Sequence, residues 1–233
     1  MEAKDVMTTN VITVPPDAKV EEIADLLLTN HISVMPVVES DGKVIGIVSE
    51  GDLLHRHETE TERHRSWWLT LFTLPEERAR DYVKAHGRLA KDIMTSDVAT
   101  VTEHTALSAV AEILEKRGIK RVPVTRNNVL VGIVSRANLL RGLVARKGDV
   151  ATAPKEDDRT IRDQVLAEFR EETGSRTDHV SVIVENGVVH LWGLADTEAE
   201  RDAMRVAAEQ VGGVGAVESH VIVRVGIVSA SGA

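Results

Sequence analysis

The chain has 233 residues and a formal charge of −9. That length can bury a core in each of two modest domains, and the charge has the wrong sign for gripping a phosphate backbone, so no nucleic-acid partner is expected. There is no cysteine, which removes disulfides and thiolate metal sites, and no stretch reaches the roughly 18 to 20 apolar residues of a membrane helix, so the expectation is a cytoplasmic protein without a signal segment.

In chain order, AKDVMT (3–8) opens the sequence and returns as AKDIMT (90–95), 87 residues later. VITV (11–14) returns as VATV (98–101), and both read as strands. Val20, Ile23, Ala24 and Leu27 match Leu107, Val110, Ala111 and Leu114. Spacing of i, i+3, i+4, i+7 puts each set on one face of a helix. MPVV (35–38) matches VPVT (122–125), and Asp41-Gly42 and Asn127-Asn128 supply turns before the next strand. That strand, IGIVS (45–49), matches VGIVS (131–135), with one deletion shortening the offset to 86.

Each copy therefore reads as strand, helix, strand, turn, strand, helix. Duplicated scaffolding explains the apolar matches, because two half-sized units can bury a shared face. It does not explain why Ser49 and Ser135 also recur, each between an apolar strand and a helix, where a hydroxyl is well placed for an anion. Nor does it explain the one sharp change: GIVSEGDLL (46–54) becomes GIVSRANLL (132–140), so Asp52 is replaced by Asn138. Read structurally, Asp52 is an N-cap for the helix that follows, and Lys120 and Arg121 are exposed charges on an edge strand.

Between the copies, residues 55–88 hold Trp67, Trp68, Phe72 and Tyr82. Trp68, Leu71 and Phe72 share a helical face, which reads either as a connector packed on the protein's own flank or as a homodimer contact rich in aromatics. His55, His57 and His64 lack metal-ligand spacing, and no metal is expected. After Arg141 comes a linker, 147–157, of mixed charge with Pro154. A second unit begins with a helix face of Ile161, Val165, Leu166 and Phe169. VSVIV (180–184) and VVHLW (188–192) form a hairpin about Asn186-Gly187. A helix capped by Thr197 follows, and then an alternating strand over 217–225. His190 and His220 fall in strands and read as structural.

The ordered set D-h-M-T, T-V, h-x-x-h-P-V and G-h-V-S-x-x-D-L, present twice across residues 3–145 apart from Asn138, resembles a pair of CBS motifs, the tandem arrangement called a Bateman module. The resemblance implies an α/β fold of two β-α-β-β-α motifs, with a cleft for AMP, ADP, ATP or S-adenosylmethionine between them. It places one site on Ser49 and Asp52, completed by Thr100, Val101, Lys120, Arg121 and Pro123. The other falls on Ser135 and Asn138, with Arg136 nearby, completed by Thr13, Val14, Ser33, Val34 and Pro36.

Physics ranks the two sites. A carboxylate accepts charged hydrogen bonds from ribose hydroxyls. Losing that charge at Asn138 costs about 1.5 to 3 kcal/mol, or roughly ten- to hundredfold in affinity. Lys120 and Arg121 fall on the Asp52 side. CBS modules commonly pair into discs, so the resemblance also implies a homodimer, with Trp67, Trp68, Leu71, Phe72 and Tyr82 as interface candidates.

The αββαβ order over residues 158–226, with V-x-N-G-x-V-x-L-x-G before the second helix, resembles a BON domain, an α+β unit. That likeness raises a weak phospholipid contact, against which the acidic Glu198, Glu200, Asp202 and Glu209 argue. No Ser-His-Asp order, Walker loop or paired carboxylate set supports an enzyme. The expected function is a non-enzymatic adenosyl-ligand sensor with the BON domain as its output. The alternative is an adaptor with empty sites that binds protein or membrane partners.

Overall fold

The computed structural model describes residues 1–54, 83–84, 86–145, 156–172 and 180–224. Trp67, Trp68, Leu71, Phe72 and Tyr82, the histidines at 55, 57 and 64, and most of the linker lie outside the described residues. In chain order the elements are α1 (Ala3–Val6), α2 (Val20–Thr29), β1 (Val34–Val38), β2 (Val44–Ser49), α3 (Glu50–Leu54) and α4 (Ala90–Ile93). Next come β3 (Val101–Thr102), α5 (Leu107–Lys116), β4 (Arg121–Arg126), β5 (Val129–Ser135) and α6 (Arg136–Ala145). Last are α7 (Glu156–Glu172), β6 (Val180–Glu185), β7 (Val188–Ala195), α8 (Glu198–Gln210) and β8 (Ala216–Val223).

Two compact units result. One combines Val11–Thr100 with Thr125–Leu130, and the other combines Met1–Asn10, Val101–Val124 and Val131–Ala233. In the first, β1 and β2 pair antiparallel, with Val34 opposite Ser49 and Pro36 opposite Ile47. Ile23 and Leu27 of α2 pack with Met35, Val37 and Val48 into its core, the face that their helical spacing predicts. The strand expected at 11–14 is reduced to a parallel bridge between Val14 and Val37. Pro15 and Pro16 follow at once, and neither can donate to a ladder. Its counterpart in the second copy is the two-residue β3, which joins a sheet of order β3-β4-β5. Arg121 therefore starts a central strand rather than an edge strand.

The opening segments of the two copies are exchanged. Ala90 of the second copy donates its N–H to Ala18 O of the first at 2.8 Å, and Thr95 and Ile47 exchange both backbone hydrogen bonds. In the other unit Ala3 donates to Thr105 O at 2.8 Å, and Thr8 and Ile133 make the matching pair of bonds. Each motif body is thus closed by the leader of the other repeat. Gly46 and Gly132 explain the glycine in both GIVS strands: a Cβ at Gly46 meets Met94 Sδ, and one at Gly132 meets Met7 Sδ. The methionine of each D-h-M-T leader fills the space that the missing side chain leaves.

The C-terminal domain has a sheet of order β6-β7-β8. β6 and β7 form the predicted hairpin, and β8 runs parallel to β7. Asn186 (φ 52°) and Gly187 (φ 76°) make its turn, and their N–H groups are both held by the Asp158 carboxylate, at 2.9 and 2.8 Å. Ile161, Val165 and Phe169 of α7 and Met204 and Ala208 of α8 cover one sheet face. Thr197 caps α8 as expected, accepting from Glu200 N–H. β6, an edge strand of this sheet, packs against α1 and α6.

Candidate functional site

Where β2 runs into α3, Ser49 donates to Asp52 Oδ2 twice, through its N–H at 2.9 Å and through Oγ at 2.7 Å. The carboxylate reaches back to the residue before the helix, so Ser49 occupies the cap and Asp52 the third helical position, which supplies one half of a capping box. Asp52 is therefore not the N-cap that its residue type suggests. The arrangement fixes the carboxylate beside the hydroxyl while Oδ1 faces Lys84 Nζ at 3.8 Å, an exposed pairing of small energetic weight. Glu50 N–H donates to Ser33 O at 3.1 Å, tying the start of α3 to the end of the adjacent loop.

The second copy repeats this frame with a different outcome. Ser135 donates through N–H and Oγ to Asn138 Oδ1 at 2.9 and 2.6 Å, and Arg136 N–H donates to Lys120 O at 3.2 Å. Asn138 then uses the group that an aspartate lacks: its Nδ2 donates to Val6 O at 2.9 Å. Both ends of the amide are occupied, and the residue is only 2 % exposed. Arg136, expected near phosphate, directs Nη2 to Leu114 O at 3.4 Å.

Ser49, Asp52 and the exposed Thr100 share one unit with half-buried Thr13, Ser33 and Val34 and buried Val14 and Pro36. Ser135, Arg136 and Asn138 share the other with buried Val101 and Pro123, exposed Lys120 and half-buried Arg121. Two features escaped the sequence pattern. The Val6 carbonyl is a backbone group with no side-chain signature. Glu218, His190 and His220, read singly, carried no message, but the parallel register sets His190 opposite Glu218 and Trp192 opposite His220. The two histidines thus have a carboxylate between them. Among the described residues no helix is long and apolar enough to cross a membrane.

Comparison with known proteins agrees with this architecture. The CBS domain model matches residues 3–58 and 90–145, and the BON domain model matches 157–225. A chloroplastic CBS domain-containing protein of Arabidopsis thaliana, CBSX1, is 33% identical over 148 residues, which are 58% of this chain and 61% of that protein. Protein MJ1426 of Methanocaldococcus jannaschii is 31% identical over 152 residues, covering 60% of this chain and 90% of that one. The inosine-5'-monophosphate dehydrogenase of the same archaeon is 26% identical over 140 residues, only 23% of the enzyme. Among solved structures, that of CBSX2 in complex with AMP superposes with a TM-score of 0.55 at 27% identity, covering 63% of this chain and 99% of that one. The chain belongs to the CBS-domain family: it carries two CBS domains followed by a BON domain.

Proposed function

We propose that this member of the CBS-domain family is a non-enzymatic sensor that binds one adenosyl ligand of the AMP class per chain, at Ser49 and Asp52. The observation that carries this reading is the inequality of the Ser49–Asp52 and Ser135–Asn138 pairs. Asp52 keeps a charged carboxylate fixed beside a serine hydroxyl, with Oδ1 turned, among the described residues, only toward a weak lysine contact. Asn138 has committed both ends of its amide within the fold. A ribose diol donates well to a carboxylate; to donate to a phosphate oxygen, the Ser49 hydroxyl gives up its bond to Asp52. The likeness to a CBS-pair protein crystallised with AMP supports the ligand class. The family pattern adds Thr100, which lies in the same unit, to this site.

The BON domain serves as the output. Its helix α7 is bound to the leader of the first repeat by Arg159, which pairs with Asp5 at 2.9 Å and Glu2 at 3.2 Å. Exposed Leu140, Leu143 and Val144 on α6 offer an apolar strip for a second copy of the chain.

Calorimetric titration of AMP, ADP, ATP and S-adenosylmethionine into the full chain and into Asp52→Ala tests the proposal. The expected result is one saturable site, lost in Asp52→Ala. No heat from the folded protein with any of the four would retire the sensor reading in favour of an adaptor.

A further inference from the structure

We infer that His190, Glu218 and His220 form a binding site for a divalent metal ion of the zinc class on the C-terminal sheet. Strand alternation puts residues 188, 190 and 192 of β7 and 216, 218, 220 and 222 of β8 on the face opposite the α7–α8 core. Parallel register then brings His190 beside Glu218 and Trp192 beside His220. One donor atom from each of His190, Glu218 and His220 lies within 4.8 Å of the others. Glu218 Oε2 is central, 3.4 Å from His190 Nδ1 and 3.8 Å from His220 Nε2.

The environment gives this cluster a reason to take a cation. His220 Nε2 is buried and makes no hydrogen bond among the described residues; at 3.8 Å the Glu218 oxygen is beyond hydrogen-bonding range. A buried polar atom left so is costly unless something pairs with it. Trp192 stacks on the His220 ring with centroids 3.9 Å apart, holding the imidazole in place. Donors on a tetrahedral zinc ion bound at about 2.0–2.1 Å sit about 3.3 Å from one another, close to the shorter spacing here. The His190 and His220 rings are only 8° from parallel, so one ring turns about its Cβ–Cγ bond, a broad torsion, to aim both lone pairs at one ion.

The donor set decides the class of ion. Two imidazoles and one carboxylate suit zinc and its neighbours, whereas calcium and magnesium take oxygen ligands. Three protein ligands leave a fourth position, and the partial exposure of Glu218 and His220 lets water reach it.

The test is zinc titration by calorimetry into chelator-treated full-length protein, beside Glu218→Gln and His220→Gln. Both side chains are partly exposed, so the variants are expected to keep the wild-type circular dichroism and melting midpoint without metal. Wild type should bind one zinc ion per chain that each variant binds at least about tenfold more weakly. Cobalt added to wild-type protein should give the intense visible absorption of a four-coordinate ion, bleached by zinc. This second readout stands even if a variant fails to fold. Wild-type stoichiometry and affinity in both variants would assign any zinc to other histidines and overturn the site, as would a wild-type protein that takes up neither ion.

Discussion

Arg162 Nη2 donates to the carbonyl oxygen of Met7 at 2.7 Å, while its Nε donates to Val182 O at 2.9 Å. One guanidinium on α7 therefore joins the BON sheet to the leader of the first repeat, and the same Met7 fills the gap above Gly132. The side chain is 6 % exposed. Burial pushes its pKa below the ordinary arginine value, while Asp163 and Asp5 pull it back. Arg162→Met keeps the stem but removes both donors and leaves two carbonyls to find new partners. The expected cost is about 2–4 kcal/mol, read as a lower urea midpoint. A midpoint within experimental error of wild type would mean that the BON domain is not anchored through this residue.

Gly132 and Met7 form a second coupled pair across the exchanged leader. Gly132→Ala pushes a methyl group against Met7 Sδ and the Thr8 carbonyl, and overpacking of this kind costs about 1–3 kcal/mol. Met7→Ala alone opens a cavity at a buried site, at about 2–5 kcal/mol. Because the two residues touch, the double variant should be more stable than the sum of the single effects by about 0.5–1 kcal/mol. Strict additivity in urea unfolding would argue that the leader does not seat over Gly132. The same cycle on Gly46 and Met94 provides an internal repeat of the measurement.

Those glycines show why part of this fold was readable from sequence and part was not. Apolar spacing in Val20, Ile23 and Leu27 and the Asn186-Gly187 turn are local signals, and the structure places them as that spacing and turn chemistry dictate. The exchange of leaders is non-local: AKDVMT and AKDIMT are nearly the same string, and nothing in either says which repeat it will close. The role of Asn138 hides for the same reason, since its partner is a backbone carbonyl 132 positions away. His190 and Glu218 likewise become neighbours only once β8 is set parallel to β7.

Asp52 and Asn138 should respond in opposite ways to exchange of their side chains. Asp52→Asn retains an acceptor for the Ser49 N–H and hydroxyl, so both of those bonds survive and stability should change by less than about 1 kcal/mol. Removing the charge from the proposed ribose contact should weaken AMP binding roughly ten- to hundredfold. Asn138→Asp also keeps the acceptor, but it cannot donate to Val6 O and puts a carboxylate at a position only 2 % exposed. A cost of about 2–4 kcal/mol is expected, and it should shrink as the pH falls toward the carboxylate range and the acid regains a proton to donate. The sign follows from burial, which raises the folded-state pKa of the introduced acid. The added destabilisation is then greatest above that pKa and relieved below the unfolded value. Chemical denaturation of both variants at pH 7 and pH 5, with AMP titration at pH 7, separates the two roles. A stable Asn138→Asp variant that gained a second AMP site would show instead that the Val6 latch is dispensable and that charge alone had closed the second site.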